Sequence, residues 1–328
     1  MKRHLFSLLT VALGAVAALT PAAAQQRGAT GSLIERTGGT PSTAETIGYS
    51  PDAWQRMTVA VNVGGRGPYR FIVDTGAERT VISSELAERL GLARGGDVTL
   101  ASVSTVSRVP SVMIDNLEVG RRTLSNIQAP ALLERHIGAQ GMLGVDSLRS
   151  QRVIFDFANR ELILTASHIE DDRRNPDEIV VRGRTRLGRL IITNASVDGQ
   201  RITVIVDTGS QVTVGNDALR RQLARRGRLG ETRILALTGV TGDLVNADYT
   251  VANRVRIGGL HVNDMPIAFS DVALFHLLGL RERPAILLGM DMMRLFDRVS
   301  IDFANSRVRL LPPHSSRESG SRMAALGR

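Results

Sequence analysis

The chain runs through the same series of elements twice, and this duplication limits its fold more than any other feature. In the first copy Met57-Thr-Val-Ala-Val-Asn-Val63 alternates apolar and polar residues, as a half-buried strand does. Gly64-Gly65-Arg66-Gly67 follows as a turn. Tyr69-Arg-Phe-Ile-Val73 is a second strand and ends at Asp74-Thr75-Gly76-Ala77. In the second copy Leu190 to Val197 is the first strand and Asp198-Gly199 the turn. Ile202-Thr-Val-Ile-Val206 is the second strand, ending at Asp207-Thr208-Gly209-Ser210. Asp207 follows Asp74 by 133 residues. Each copy continues into a helical stretch, Ser84 to Leu90 stopped by Gly91 in one and Asn216 to Leu223 in the other. Each closes with an apolar pair and a glycine, Met142-Leu143-Gly144 and Leu287-Leu288-Gly289. An Asp-Phe-Ala-Asn block then follows at Asp156 and again at Asp302. A repeat of this length is a duplicated domain, not a solenoid unit.

Composition narrows the chemistry. The 328 residues contain no cysteine, which excludes disulfides, thiolate metal sites and a cysteine nucleophile. The six histidines show no zinc-hydrolase spacing. No metal or cofactor is expected. The net charge of +9 comes almost entirely from arginine, since Lys2 is the only lysine. With 4% aromatic residues the chain has few side chains for stacking on bases, so nucleic acid is not an expected partner. The densest basic run, Arg220, Arg221, Arg225, Arg226 and Arg228, reads as the solvated face of a helix.

The chain divides into six stretches. Residues 1–24 read as a signal peptide: Lys2 and Arg3, an apolar run from Leu5 to Leu19, then Ala22-Ala23-Ala24, with cleavage expected before Gln25. No later segment is long and apolar enough to cross a bilayer as a helix, so an exported protein without stable membrane insertion is expected. Residues 25–50, rich in Gly, Thr, Ser and Ala, read as a flexible leader or propeptide. The repeats then occupy 51–168 and 185–313, joined by a polar linker at 169–184. A polar tail, 314–328, reads as disordered.

An Asp-Thr-Gly triplet alone is weak evidence of chemistry. Two triplets, each delivered by an apolar strand and each paired later with an apolar-apolar-Gly element, are not. The glycine lets backbone approach backbone. Two such turns meeting on a pseudo-twofold axis set two carboxylates side by side, and like charges that close share one proton. The ionised member can activate water and the protonated member can donate to a carbonyl oxygen. Asp74 and Asp207 are the expected catalytic pair. Thr75, Gly76, Ala77, Thr208, Gly209 and Ser210 support them, with Thr75 and Thr208 bonding across the axis. Leu143, Gly144, Leu288 and Gly289 form the apolar-glycine elements.

Ile72-Val73-Asp74-Thr75-Gly76-Ala77 and Ile205-Val206-Asp207-Thr208-Gly209-Ser210 resemble the aspartic peptidases, specifically bacterial relatives of the retroviral proteases. The resemblance runs from about Trp54 to Leu311. It implies a mainly β fold of two pseudo-twofold-related, retropepsin-like β-barrel lobes in one chain. It implies an aspartic endopeptidase acting on an extended peptide or protein, and a monomer that needs no second chain to complete its dyad. A catalytically silent peptide-binding protein on the same scaffold is the alternative. Members of the family cover the dyad with a β-hairpin flap. Thr238, Gly239, Val240, Thr241 and Gly242 are the flap candidate in the second copy, an ordinary hairpin turn being the other reading. The matching stretch of the first copy, Thr99 to Val109, has no glycine at its tip, and neither copy shows a flap tyrosine. Asp146 and Asp291 read as helix N-caps, and Asp156 and Asp302 as residues fixing the turns at Asn159 and Asn305.

Overall fold

A computed structural model describes residues 11–13, 17–19, 45–51, 56–149, 151–167 and 177–313. Three short strands come first: β1 (Val11–Leu13), β2 (Ala17–Leu19) and β3 (Glu45–Pro51). The expected cleavage site before Gln25, the first half of the linker (169–176) and the 314–328 tail lie outside the described residues. Residues 45–50, expected to belong to a flexible leader, instead form most of β3, which pairs with the body of the protein on both sides.

In the first repeat β4 (Met57–Val63) and β5 (Arg66–Val73) form a hairpin in which Val63 faces Arg66. Gly64 and Gly65 make the turn with φ of +57° and +71°, a left-handed pair that side chains beyond glycine rarely adopt. β6 (Val81–Ser83) leads into α1 (Ser84–Leu90). The Ser83 hydroxyl accepts from the Leu86 amide at 3.1 Å, and Gly91 ends the helix in the left-handed region. β7 (Arg94–Ala101), β8 (Val106–Val119) and β9 (Arg122–Leu132) follow as a meander. Then come α2 (Glu134–Ile137), β10 (Gly141–Leu143), α3 (Val145–Leu148), β11 (Gln151–Asp156) and β12 (Glu161–Ala166).

The stretch expected to be a linker contains a strand, β13 (Ile179–Arg182), because Val181 is buried against the body of the protein. The second repeat has β14 (Arg184–Arg186), β15 (Arg189–Val197), β16 (Gln200–Val206), β17 (Val214–Gly215) and α4 (Asp217–Arg225). It continues with β18 (Arg233–Gly239), β19 (Leu244–Ile257), β20 (Leu260–Phe269), α5 (Ala273–Leu277) and β21 (Ala285–Leu288). It ends with α6 (Met290–Met293), β22 (Arg298–Asp302) and β23 (Arg307–Leu311). The fold is mainly β, with two β-rich lobes. No described helix is long and apolar enough to cross a membrane.

The closing blocks do not each seal their own lobe. β11 pairs antiparallel with β22, and Ile154 sits opposite Ser300, its own equivalent in the repeat. With β12, β3, β23 and β13 they form one continuous run of strands beneath both lobes. The pseudo-twofold axis passes through that central pair. Asp156 and Asp302 fix their turns as expected, accepting from the amides of Asn159 and Asn305 at 2.8 and 3.0 Å.

Candidate functional site

Each aspartate is placed by the same local logic. Phe71, Ile72 and Val73 are all buried at the end of β5, so the strand drives its last residue into the interior. β10 runs parallel beside it, Leu143 opposite Val73, and the Leu143 carbonyl accepts from the Asp74 amide at 3.0 Å. In the second lobe β21 runs parallel to β16, and the Leu288 carbonyl accepts from the Asp207 amide at 3.0 Å. The apolar-glycine elements therefore brace the strand ends that carry the aspartates.

Both side chains are fully buried, at 0% exposure. The inner oxygen of each is held by its own turn. Asp74 Oδ1 accepts from the amides of Gly76 and Ala77 at 2.8 and 3.0 Å. Asp207 Oδ1 accepts from Gly209 and Ser210 at 3.0 and 3.2 Å. Among the described residues neither Oδ2 has a hydrogen-bond partner. A Cβ on Gly76 would fall on the Asp207 carboxylate, and one on Gly209 would fall on that of Asp74. Only glycine lets each turn approach the opposite acid so closely.

The threonines tie the turns across the axis. The amide of Thr75 donates to Thr208 Oγ1 and that of Thr208 to Thr75 Oγ1, both at 3.0 Å. The hydroxyls donate in turn to the strand ends of the opposite lobe, Thr75 to the Val206 carbonyl at 3.0 Å and Thr208 to that of Val73 at 2.7 Å. Burial, and after it the charge of Asp207, pushes the Asp74 carboxyl well above the usual carboxylate range, against the amides of Gly76 and Ala77 and the Arg56 cation. Burial likewise raises Asp207, to about 6, against the amides of Gly209 and Ser210 and the Arg189 cation. A pair raised this way retains a proton at pH values where an exposed carboxylate has lost it.

Asp146 and Asp291 do not cap helices. Gly144 and Gly289 occupy the N-cap positions of α3 and α6. The carboxylates instead clamp the loops that follow the triplets. Asp146 accepts from the Thr80 amide and hydroxyl at 2.9 and 2.8 Å, and Asp291 from those of Thr213 at 2.9 and 2.8 Å. The same hydroxyls accept from the Gly144 and Gly289 amides, each at 3.2 Å. Thr80 and Thr213 thus join triplet loop to apolar-glycine element, a role the sequence reading missed.

Two buried arginines were also missed. Arg56 and Arg189 have no exposed surface. Arg56 donates to the Ile137 carbonyl. Arg189 reaches across the lobes, its Nε donating to the carbonyl of Gly76 at 2.7 Å, with Glu78 3.9 Å from its guanidinium. Arg56 and Arg189, and likewise Thr80 and Thr213, stand at the spacing that separates the two aspartates. That shared offset was the available signal.

Each lobe forms one such hairpin. β18 and β19 carry the flap candidate, and the Gly239 amide donates to the Asp243 carbonyl at 2.7 Å across its tip. The first copy forms the matching hairpin from β7 and β8, closed where the Ser102 amide donates to the Thr105 carbonyl at 2.8 Å.

The chain matches the aspartyl protease family twice, over residues 57–147 and 193–292. Each match contains one triplet and its apolar-glycine element. No curated protein matches the chain. Two matches spanning more than half of its length make this chain a member of the aspartyl protease family.

Proposed function

We propose that the protein is an exported aspartic endopeptidase that hydrolyses peptide bonds with a water activated by Asp74 and Asp207. The observation that carries this reading is the pair of buried carboxylates on one axis. Each is held by its inner oxygen and each keeps its outer oxygen without a protein partner. The ionised member draws the proton from a water that attacks the scissile carbonyl, while the protonated member donates to the carbonyl oxygen. A tetrahedral diol forms and collapses as the leaving nitrogen takes the proton drawn from the water and a diol hydroxyl returns a proton to the other aspartate. No covalent bond to the protein is made.

The substrate is an extended peptide. Its class is supported by the way extended backbone from the stretch expected to be removed on export adds to the hairpins of the uncleaved chain: β2 pairs antiparallel with β7, and β1 pairs parallel with β18. A single peptide crossing a pseudo-twofold axis must meet one hairpin in each sense. Both aspartates come from one chain, so a monomer is sufficient for activity.

A diverse peptide library incubated with the protein tests this reading. Cleavage at internal bonds, blocked by a statine peptide that mimics the tetrahedral diol, is the expected result. Tight binding of the statine peptide with no cleaved product would instead support a silent binding protein.

A further inference from the structure

The tips of the two hairpins are not independent. Val103, at the tip of the first-lobe hairpin, is fully buried among second-lobe side chains, including Leu237, Val272 and Phe275. Its carbonyl accepts from the Ala273 amide at the start of α5, at 2.8 Å. Val240, at the tip of the second-lobe hairpin, is fully buried among first-lobe side chains, including Ile72, Leu132 and Ile137. Its neighbour Gly242 lies against the His136 imidazole, which a Cβ at that position would overlap. Each hairpin therefore plugs the other lobe with a valine.

One carboxylate joins the plugs. Asp243 closes the second-lobe tip, where its Oδ1 accepts from the Thr241 hydroxyl at 2.6 Å. The same oxygen accepts from the Ser102 hydroxyl of the first-lobe hairpin. Its Oδ2 accepts from the amide and the hydroxyl of Ser104, at 2.7 and 2.8 Å. Burial alone would raise the Asp243 carboxyl, but the hydroxyls of Ser102 and Thr241 and the two Ser104 donors hold it below its ordinary value. The clasping group is thus the charged form, which makes the stronger hydrogen bonds. Gly239 is required for this approach, because a Cβ there would overlap both the Asp243 carboxylate and the Ser102 hydroxyl.

We propose that Asp243 is a positioning residue that clasps the two flaps to each other, so that they open as one unit and a peptide reaches the dyad only when the clasp has parted. Asp243 lies outside the triplets and has no counterpart at the first tip, where Ser102 to Thr105 include no carboxylate. One lobe holds the acceptor and the other the donors. Neither hairpin can lift while these bonds and the reciprocal valines stay in place.

The clasp itself needs no substrate, but its gating role rests on the peptidase reading, so the test has two arms. Amide hydrogen exchange of the full chain compares wild type with Asp243→Ala, and with Ser104→Ala as a milder variant that keeps the acid. The expected result for Asp243→Ala is exchange accelerated at least about tenfold along both hairpins, the unsubstituted first-lobe one included. Ser104→Ala should move in the same direction by less. Loosening confined to the second-lobe hairpin, or none, overturns the proposal. The second arm follows the association rate of a statine peptide, which should rise in Asp243→Ala as the open fraction grows, whereas damage to the fold would lower it. An unchanged rate with both hairpins loosened overturns the gating role. Coupled loosening with no peptide bound at any concentration leaves the clasp standing and counts against the peptidase reading instead.

Discussion

At the scale of single residues the chemistry depends on how charge is handled without solvent. A carboxyl whose folded pKa lies above its unfolded value binds its proton more tightly in the folded protein. The stability this brings is complete below the unfolded value and is lost as pH rises through the folded one. For Asp207, lifted from 3.8 to about 6, the window runs between those values. Over it stability falls as the dyad gives up its shared proton. Denaturant titrations at pH 4 and pH 7 should therefore show a pH-dependent component that Asp207→Asn removes. An identical pH dependence in the variant would contradict the burial of a titrating acid. Arg189 works in the opposite direction on the same group, since its cation lowers Asp207. Replacing it as Arg189→Gln should move the acid limb of kcat/KM upward, on the order of one pH unit. A purely structural arginine would lower the rate and leave the limb in place.

At the scale of elements, strands bring the acids in and cross-lobe hydrogen bonds hold them. Thr75→Ala removes one hydroxyl that both donates to Val206 and accepts from Thr208. A cost of about 1–3 kcal/mol in unfolding free energy is expected, with Thr75→Ser recovering most of it. Equal losses for Ala and Ser would show that the methyl group, not the hydroxyl, matters there. The same elements show where the sequence was legible. Strand, triplet, helix and apolar-glycine element could be read because each has a local pattern, and the duplication gave every signal a second time, the triplets 133 residues apart. The first-lobe hairpin could not be read, because its tip closes through Ser102 and Thr105 without any residue in the left-handed region. The absence of glycine there was no obstacle to the turn. The Asp146 and Asp291 clamps were hidden for another reason. An acid just inside a helix start resembles a cap, and only the tertiary fold brings Thr80 or Thr213 to it.

At the scale of the whole molecule the two lobes are one cooperative body. Their closing strands pair directly about the axis, and the largest apolar cluster takes residues from both repeats, among them Phe71, Phe155, Val204 and Ile301. Calorimetry should show one unfolding transition with equal calorimetric and van't Hoff enthalpies. Two separated transitions would mean that the lobes fold independently. This sharing was illegible in the sequence, where two alternating apolar blocks give no sign of which strand they pair with. The same joining gives each aspartate a partner from the other half of the chain. The central claim is that these two residues are one catalytic pair, and the most direct measurement is peptide turnover by Asp74→Asn and Asp207→Asn beside wild type, with folding checked by circular dichroism. Each single change should cut turnover by at least about 10²–10⁴-fold with the fold intact. Wild-type turnover in either folded variant would contradict a shared dyad.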